Sequence, residues 1–249
     1  MTLEGKVIAV LGASSGIGAG IVRSIAKESP RAIILGARRE NMLKELANTL
    51  NTETLTVQTD VTSEESLRNF FEIAIKKYGQ VDAVINSAGV IQKGNPIEKL
   101  HLEEIDRIIY SNLNQTMHVA HYAIPIFKKQ GNGIYIVISS QAGTYAFPNE
   151  TAYCASKAGL DQFIRSLDEE IKAWTKEPRP KGNQIYAFSI APGFINTEEA
   201  KRQFPELAEK IEHATTPDQF GEIVKFFIEN PDKKYQEKGP VHLIETLRI

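Results

Sequence analysis

Residues 6–27 read KVIAVLGASSGIGAGIVRSIAK. The first six, Lys6–Leu11, form a near-continuous apolar run rich in β-branched residues, the pattern of a strand covered on both faces. Gly12, Gly16 and Gly18 follow, and a helix pattern, Ile17–Lys27, begins inside that turn. A turn of this kind lets the backbone approach a phosphate. The start of the helix then offers unpaired N–H groups and a positive dipole end to it. Three glycines would also suit a tight strand-to-helix connection with no ligand. Their position, directly after a first strand and ahead of a helix, is the one a dinucleotide site requires.

The same alternation continues along the chain. Ala32–Ala37, Thr54–Gln58, Val81–Asn86, Ile134–Ser139, Ile185–Ile190 and Pro240–Glu245 read as further strands. Between them lie amphipathic stretches. Ser63–Tyr78 carries Leu67, Phe70, Phe71, Ala74, Ile75 and Tyr78 at helical spacing, with Thr62 and Glu65 in the form of a capping box and Gly79 at the stop. Thr216-Pro217 opens another helix, with Phe220, Val224, Phe227 and Ile228 on its inner face. Strands alternating with helices predict βαβ units, right-handed crossovers and a doubly wound, parallel, seven-stranded α/β sheet. One domain over 1–249 is expected, with a cofactor half over roughly 1–130 and a catalytic and substrate part over roughly 131–249.

Composition narrows the function classes. In 249 residues there are 29 Lys plus Arg against 31 Asp plus Glu, a net charge of -2 that gives no footprint for nucleic acid or an anionic membrane. One cysteine, Cys154, excludes an intrachain disulfide and a cysteine-based zinc site, and points to a reducing, cytoplasmic setting. No signal-peptide pattern opens the chain and no run of about 18 apolar residues occurs. Of the five histidines only His118 and His121 have ligand-like spacing, and packing is the expected role, so no metal is predicted.

Strand two ends Gly36-Ala37-Arg38-Arg39. An acid at that point hydrogen-bonds the ribose 2′-hydroxyl of NAD, whereas an arginine accommodates the 2′-phosphate of NADP. Here Ala37 occupies the acid position, so NADP(H) is expected, with Arg38 as the main contact and Arg39 or Ser14 assisting. The alternative is two solvated loop charges. Farther on, Tyr153 and Lys157 are spaced i, i+4 within the helix pattern Ala152–Trp174, which puts them on one face. An ammonium there would stabilise phenolate. Eight tyrosines and 19 lysines in this chain would produce roughly 0.6 such pairs by chance, so the pair gains meaning only from its surroundings.

Those surroundings agree. The G-x-x-x-G-x-G spacing of Gly12, Gly16 and Gly18 resembles that of the short-chain dehydrogenase/reductase family. Asn86-Ser87-Ala88-Gly89 resembles its N-N-A-G element, and Tyr153-Cys154-Ala155-Ser156-Lys157 its Tyr-x-x-x-Lys. Ser140 lies thirteen residues before Tyr153, the family interval, and Asn112 matches its helix asparagine, with Asn114 a rival. Pro192-Gly193-Phe194-Ile195-Asn196-Thr197 resembles the element beside the nicotinamide. Elements in this order span residues 7 to 197.

The resemblance implies an enzyme that reduces a ketone or aldehyde with NADPH, or runs the reverse reaction. Tyr153 would act as general acid, Ser140 would orient the carbonyl, Lys157 would lower the Tyr153 pKa and hold the ribose, and Asn112 would place a relay water. It implies cofactor contacts from Gly12, Ser14, Ser15, Gly16, Ile17, Gly18, Arg38, Arg39, Asp60, Val61, Asn86, Ala88, Gly89, Tyr153, Lys157, Pro192, Gly193, Ile195 and Thr197. Asp60 would meet adenine or serve only as a turn acid; Asn86 would meet the cofactor or only tie strands together. Phe194–Thr216 would form the substrate lid, and Gln141, Tyr145, Phe147 and Phe194 an apolar wall. A homodimer or homotetramer paired through His101–Lys129 and Ala152–Trp174 is expected, with a small-molecule carbonyl or alcohol as the other partner. Two departures stand out: Leu11 where most relatives have Thr, and a tail, GPVHLIETLRI, without the usual Asp-Gly-Gly. An NAD-linked alcohol or sugar dehydrogenase, or a non-catalytic NADP-sensing protein, are the competing readings.

Overall fold

The computed structural model describes residues 2–175, 184–231 and 241–242. Six strands follow the expected runs: β1 Val7–Leu11, β2 Ala32–Ala37, β3 Thr54–Gln58, β4 Ala83–Asn86, β5 Asn132–Ile138 and β6 Gln184–Ala191. A seventh, β7, is the two-residue pairing Val241–His242. The rest of Pro240–Glu245 lies outside the described residues, as do 176–183 and Lys233-Lys234. All seven strands are parallel, in the order β3-β2-β1-β4-β5-β6-β7.

The helices are α1 Gly16–Ala26, α2 Glu40–Asn48, α3 Glu64–Tyr78, α4 Leu102–Ile109, α5 Gln115–Gln130, α6 Thr151–Thr175, α7 Glu198–Gln203, α8 Ala208–Glu212 and α9 Pro217–Glu229. Side chains alternate across each strand. Val7, Ala9 and Leu11 of β1 therefore join a core made with α3, α5 and α6, while Ile8 and Val10 join one made with α1 and α9. Both faces of the sheet are covered, which is why its strands read as unbroken apolar runs.

β1 lies between β2 and β4, with Leu11 in register with both Gly36 and Asn86. The strand order reverses there, so a crevice opens at the carboxyl ends of β1 and β4. Leu11 is fully buried, and a Cβ on Gly36 would come within 2.7 Å of its Cδ2. The glycine on β2 is thus the partner that makes room for leucine at this point.

One helix start differs from the expected one. Ser63, not Thr62, caps α3, accepting a hydrogen bond from Ser66 N at 3.3 Å. Thr62 instead donates from both its N–H (2.9 Å) and its hydroxyl (2.7 Å) to Asp60 Oδ1. The α3 stop at Gly79 and the α9 start at Thr216 are as expected, the latter with Gln219 completing a capping box.

Candidate active site

The crevice is a cleft of about 1160 Å³. A separate cavity of about 200 Å³ lies at the amino ends of β1, β4, β5 and β6, where Leu3, Lys6 and Asp82 help to line it.

At one end of the cleft the wall is the glycine turn. Gly12 has φ 78°, and a Cβ there would lie 2.7 Å from Ala88 N, so a side chain is excluded on two counts. A Cβ on Gly18 would strike the Gly12 carbonyl, which fixes the packing of α1 against the turn. Ser15 precedes α1 in extended conformation and gives it no side-chain cap. The first turn of α1 therefore presents unpartnered N–H groups, a setting for an anion. Ser15 Oγ is engaged elsewhere: Arg39 Nη2 donates to it and, at 2.9 Å, to Ser14 Oγ. Arg38 and Arg39 are both exposed on the cleft wall. Sequence reasoning favoured Arg38; in the folded chain Arg39 lies against the turn, while Arg38 sits near Asp60.

Asp60 and Val61 line the cleft next to the arginines. Burial would raise the Asp60 pKa, but two hydrogen bonds from Thr62 and the charge of Arg38 bring it below the ordinary value. Asp60 thus builds its own turn while facing the cleft. Asn86 ties β4 not to a strand but to α5: its Nδ2 donates to Gln115 Oε1 at 3.0 Å and its Oδ1 accepts from Ala88 N at 3.2 Å. Gln115 Nε2 closes the loop by donating to Ala88 O. Together they hold Ser87, Ala88 and Gly89 on the cleft wall with Asn86 behind it.

The other end holds Tyr153 and Lys157 on the first turns of α6. Lys157 Nζ donates to Ile138 O at 3.0 Å and lies 5.7 Å from the centre of the Tyr153 ring. Burial pushes the Lys157 ammonium down to about 8, opposed by the Asp161 carboxylate. Burial likewise pushes the Tyr153 phenol up to about 12; the Ser140 hydroxyl opposes this, while Glu150 and Cys154 add to it.

Ser140 follows β5, and its hydroxyl also accepts from Ala142 N at 3.1 Å. Ser139, one residue earlier, is 4% exposed and on the cleft wall, and its hydroxyl has no partner among the described residues. An orphaned buried hydroxyl in a cleft is the mark of a site shaped for a bound polar molecule. Asn112 lies in a π-helical turn, Tyr110–Asn114, between α4 and α5. It is fully buried; its Oδ1 accepts from Val90 N (2.8 Å) and its Nδ2 donates to Val90 O and Ser156 Oγ (both 3.0 Å). Those contacts distinguish it from Asn114.

The segment after β6 closes one side. Thr197 lines the cleft and caps α7 by accepting from Ala200 N at 3.1 Å. Pro192 O accepts from Gln141 N, and Ile195 bridges to Thr215. Glu198, Glu199, Arg202 and Gln203 of α7 also form cleft wall, which sequence reasoning missed. The proposed substrate wall is not part of the cleft. Tyr145 and Phe147 are exposed, Phe194 packs edge-on against Phe204 at 5.8 Å, and the Gln141 amide lies over Gly193. Away from the site, His118 and His121 pack edge-on against Tyr110 and Tyr122.

A second residue missed from sequence is Gln92. It is fully buried, and its Oε1 accepts from Ala152 N (3.0 Å) and Tyr153 N (3.1 Å). Its Nε2 donates to Asn95 O and Asn149 O. The start of α6 is therefore capped from sixty residues away. No local pattern signals this, since Gln92 sits in an irregular stretch.

These features fit a dinucleotide: a glycine-rich turn, an uncapped helix start, exposed arginines at one end and an orphaned hydroxyl at the other. The comparisons agree. Residues 6–208 match the family model described as short chain dehydrogenase. A 3-oxoacyl-[acyl-carrier-protein] reductase of Thermotoga maritima is 32% identical over 219 residues, covering 87% of this chain and 85% of its own. Among solved structures, a 3-ketoacyl-(acyl-carrier-protein) reductase from Brucella melitensis complexed with NADH superposes with TM-score 0.82 at 25% identity, covering 92% of this chain and 93% of its own. A metagenomic short-chain oxidoreductase in complex with NADP gives 0.75 at 26%, covering 92% of both chains. The chain belongs to the short-chain dehydrogenase family of nicotinamide-dependent oxidoreductases.

Proposed function

We propose that this protein reduces the carbonyl group of a small ketone or aldehyde with NADPH. The observation that carries this reading is one cleft with Arg38 and Arg39 exposed at one end and Tyr153 and Lys157, with strongly shifted proton affinities, at the other.

The turn from Gly12 to Gly18 would hold the pyrophosphate, with Ser14, Ser15 and Ile17 around it. Arg38 and Arg39 would hold the 2′-phosphate, and guanidinium forks match phosphate oxygens. Asp60 and Val61 would border the adenine, Ala88 and Gly89 the ribose side, and Pro192, Gly193, Ile195 and Thr197 the nicotinamide. When bound, the cofactor supplies the hydride.

The residues of the chain handle the proton. Ser140 donates a hydrogen bond to the substrate carbonyl and orients it. Tyr153, whose phenol is held protonated far above neutral pH, gives its proton to the oxygen. The Lys157 ammonium stabilises the phenolate left behind. Asn112 would hold a water that returns protons by way of Lys157. Gln141, Tyr145, Phe147 and Phe194 would meet the substrate beyond the cleft. Self-association through α4, α5 and α6 would cover Leu102, which is 75% exposed.

The test is cofactor oxidation over a panel of diketones, aromatic aldehydes and keto esters, with NADPH and NADH compared. Turnover with kcat/KM at least about tenfold higher for NADPH supports the proposal. A preference for NADH overturns the assignment of the arginines, and NADPH binding without turnover favours a sensing role.

A further inference from the structure

A buried acid lies one helical turn beyond Lys157. Asp161 is 2% exposed and stands at i+4 from the lysine on α6, so the two side chains share a helix face. Its Oδ1 accepts from the Ser189 hydroxyl of β6 at 2.8 Å. Its Oδ2 occupies the space a side chain on Gly143 would need. Gly143 ends the short 3-10 turn Gln141–Gly143 that follows Ser140. One carboxylate thus touches the helix that carries Tyr153 and Lys157, the strand beside β5, and the turn that carries the serine.

A buried carboxylate is costly unless it is hydrogen-bonded and near a positive charge. Ser189 supplies the first and Lys157 the second. Among the described residues, the packed elements bring to the pair the Ser189 hydroxyl of β6, the Ile138 carbonyl of β5, the Asn112 amide of the π-helical turn and the turn after Ser140. None of them is charged. Tyr153 and Glu150, at the start of α6, are the titratable groups on the far side of Lys157. Burial drives Lys157 towards its neutral form, and Asp161 is the charge that works against it.

We propose that Asp161, anchored by Ser189 and seated against Gly143, is a positioning residue that keeps Lys157 protonated so that it can support the Tyr153 phenolate. The proposal rests on the role given to Lys157 above. Glycine is required at position 143 because the carboxylate fills the space beside it.

The experiment is an NMR titration of the full-length protein labelled at lysine Cε, with the Lys157 signal assigned by its loss in Lys157→Met. In Asp161→Asn, which keeps the shape and an acceptor for Ser189, the Lys157 midpoint should fall by about one pH unit or more. Ser189→Ala, which keeps the charge and frees its anchor, should give a smaller shift in the same direction. A midpoint within roughly 0.3 unit of wild type in a folded Asp161→Asn protein overturns the proposal. If Asp161→Asn does not fold, Ser189→Ala decides: an acidward shift supports the proposal and none overturns it. The titration needs no turnover. A shifted midpoint in a protein that reduces no carbonyl would overturn the catalytic reading alone.

Discussion

The two ends of the cleft are built in opposite ways. At the glycine turn, backbone and missing side chains do the shaping, and the charges, Arg38 and Arg39, stand in solvent. At the tyrosine end Lys157 is buried and Tyr153 half-buried, and long-range side-chain hydrogen bonds from Gln92, Asn112 and Ser189 hold the elements around them. The first arrangement suits recognition, because exposed guanidinium groups can adapt to a phosphate. The second suits chemistry, because burial moves proton affinities: Tyr153 up to about 12 and Lys157 down to about 8. Substitutions at the two ends should therefore separate cleanly into effects on binding and effects on rate.

The largest separation is expected at Ser140. Ser140→Ala removes the donor to the carbonyl oxygen and should lower kcat by about 10²-fold or more, with NADPH affinity unchanged in a binding titration. Equal losses in both would blur the distinction. Next comes the arginine pair. Arg38→Ala with Arg39→Ala should weaken NADPH by at least about tenfold and leave NADH affinity and kcat alone. The NADPH loss should shrink at high salt, since both groups are exposed.

Gln92 gives a smaller, mixed effect. Gln92→Leu leaves the Ala152 and Tyr153 N–H groups without their acceptor, which should cost about 1–2 kcal/mol of stability and reduce kcat more than it alters KM. A kcat equal to wild type would make Gln92 a fold residue only. The smallest effect is on pH. The folded Lys157 pKa of about 8 lies below the ordinary lysine value of 10.5, so the unfolded chain binds more protons between those pH values. The cost of burying the charge is present below pH 8 and is relieved as pH rises from there. Wild type should gain thermal stability relative to Lys157→Met over that interval; a flat difference would contradict the buried state of the lysine.

What could be read from sequence follows the same divide. Strands buried on both faces announce themselves as apolar runs, so β1, β2, β4, β5 and β6 and the glycine turn were legible, while the half-covered β3 showed itself by alternation. Ser140, Tyr153 and Lys157 were singled out by the family resemblance, and the fold sets Tyr153 and Lys157 on the cleft wall with Ser140 just after β5. The contacts that tune them were not, because they cross long stretches of chain. Gln92 reaches α6 from sixty residues away, and Asp161 has the look of a surface acid at i+4 from a lysine until β6 is placed over it. The Thr62–Ser63 cap was misassigned by one residue because both side chains can cap, and only the fold reveals that Asp60 engages Thr62. The acids and Arg202 of α7 carried no local sign that their helix would lie along the cleft.

The central claim is that Tyr153 supplies the proton in an NADPH-driven carbonyl reduction. It is tested most directly by following NADPH oxidation with an accepted carbonyl substrate in wild type and Tyr153→Phe, alongside the rise in Tm that NADPH gives each protein. The account predicts turnover in wild type, a fall of about 10²–10⁴-fold in the variant, and the same NADPH-induced stabilisation in both. Equal turnover in the two proteins would contradict it.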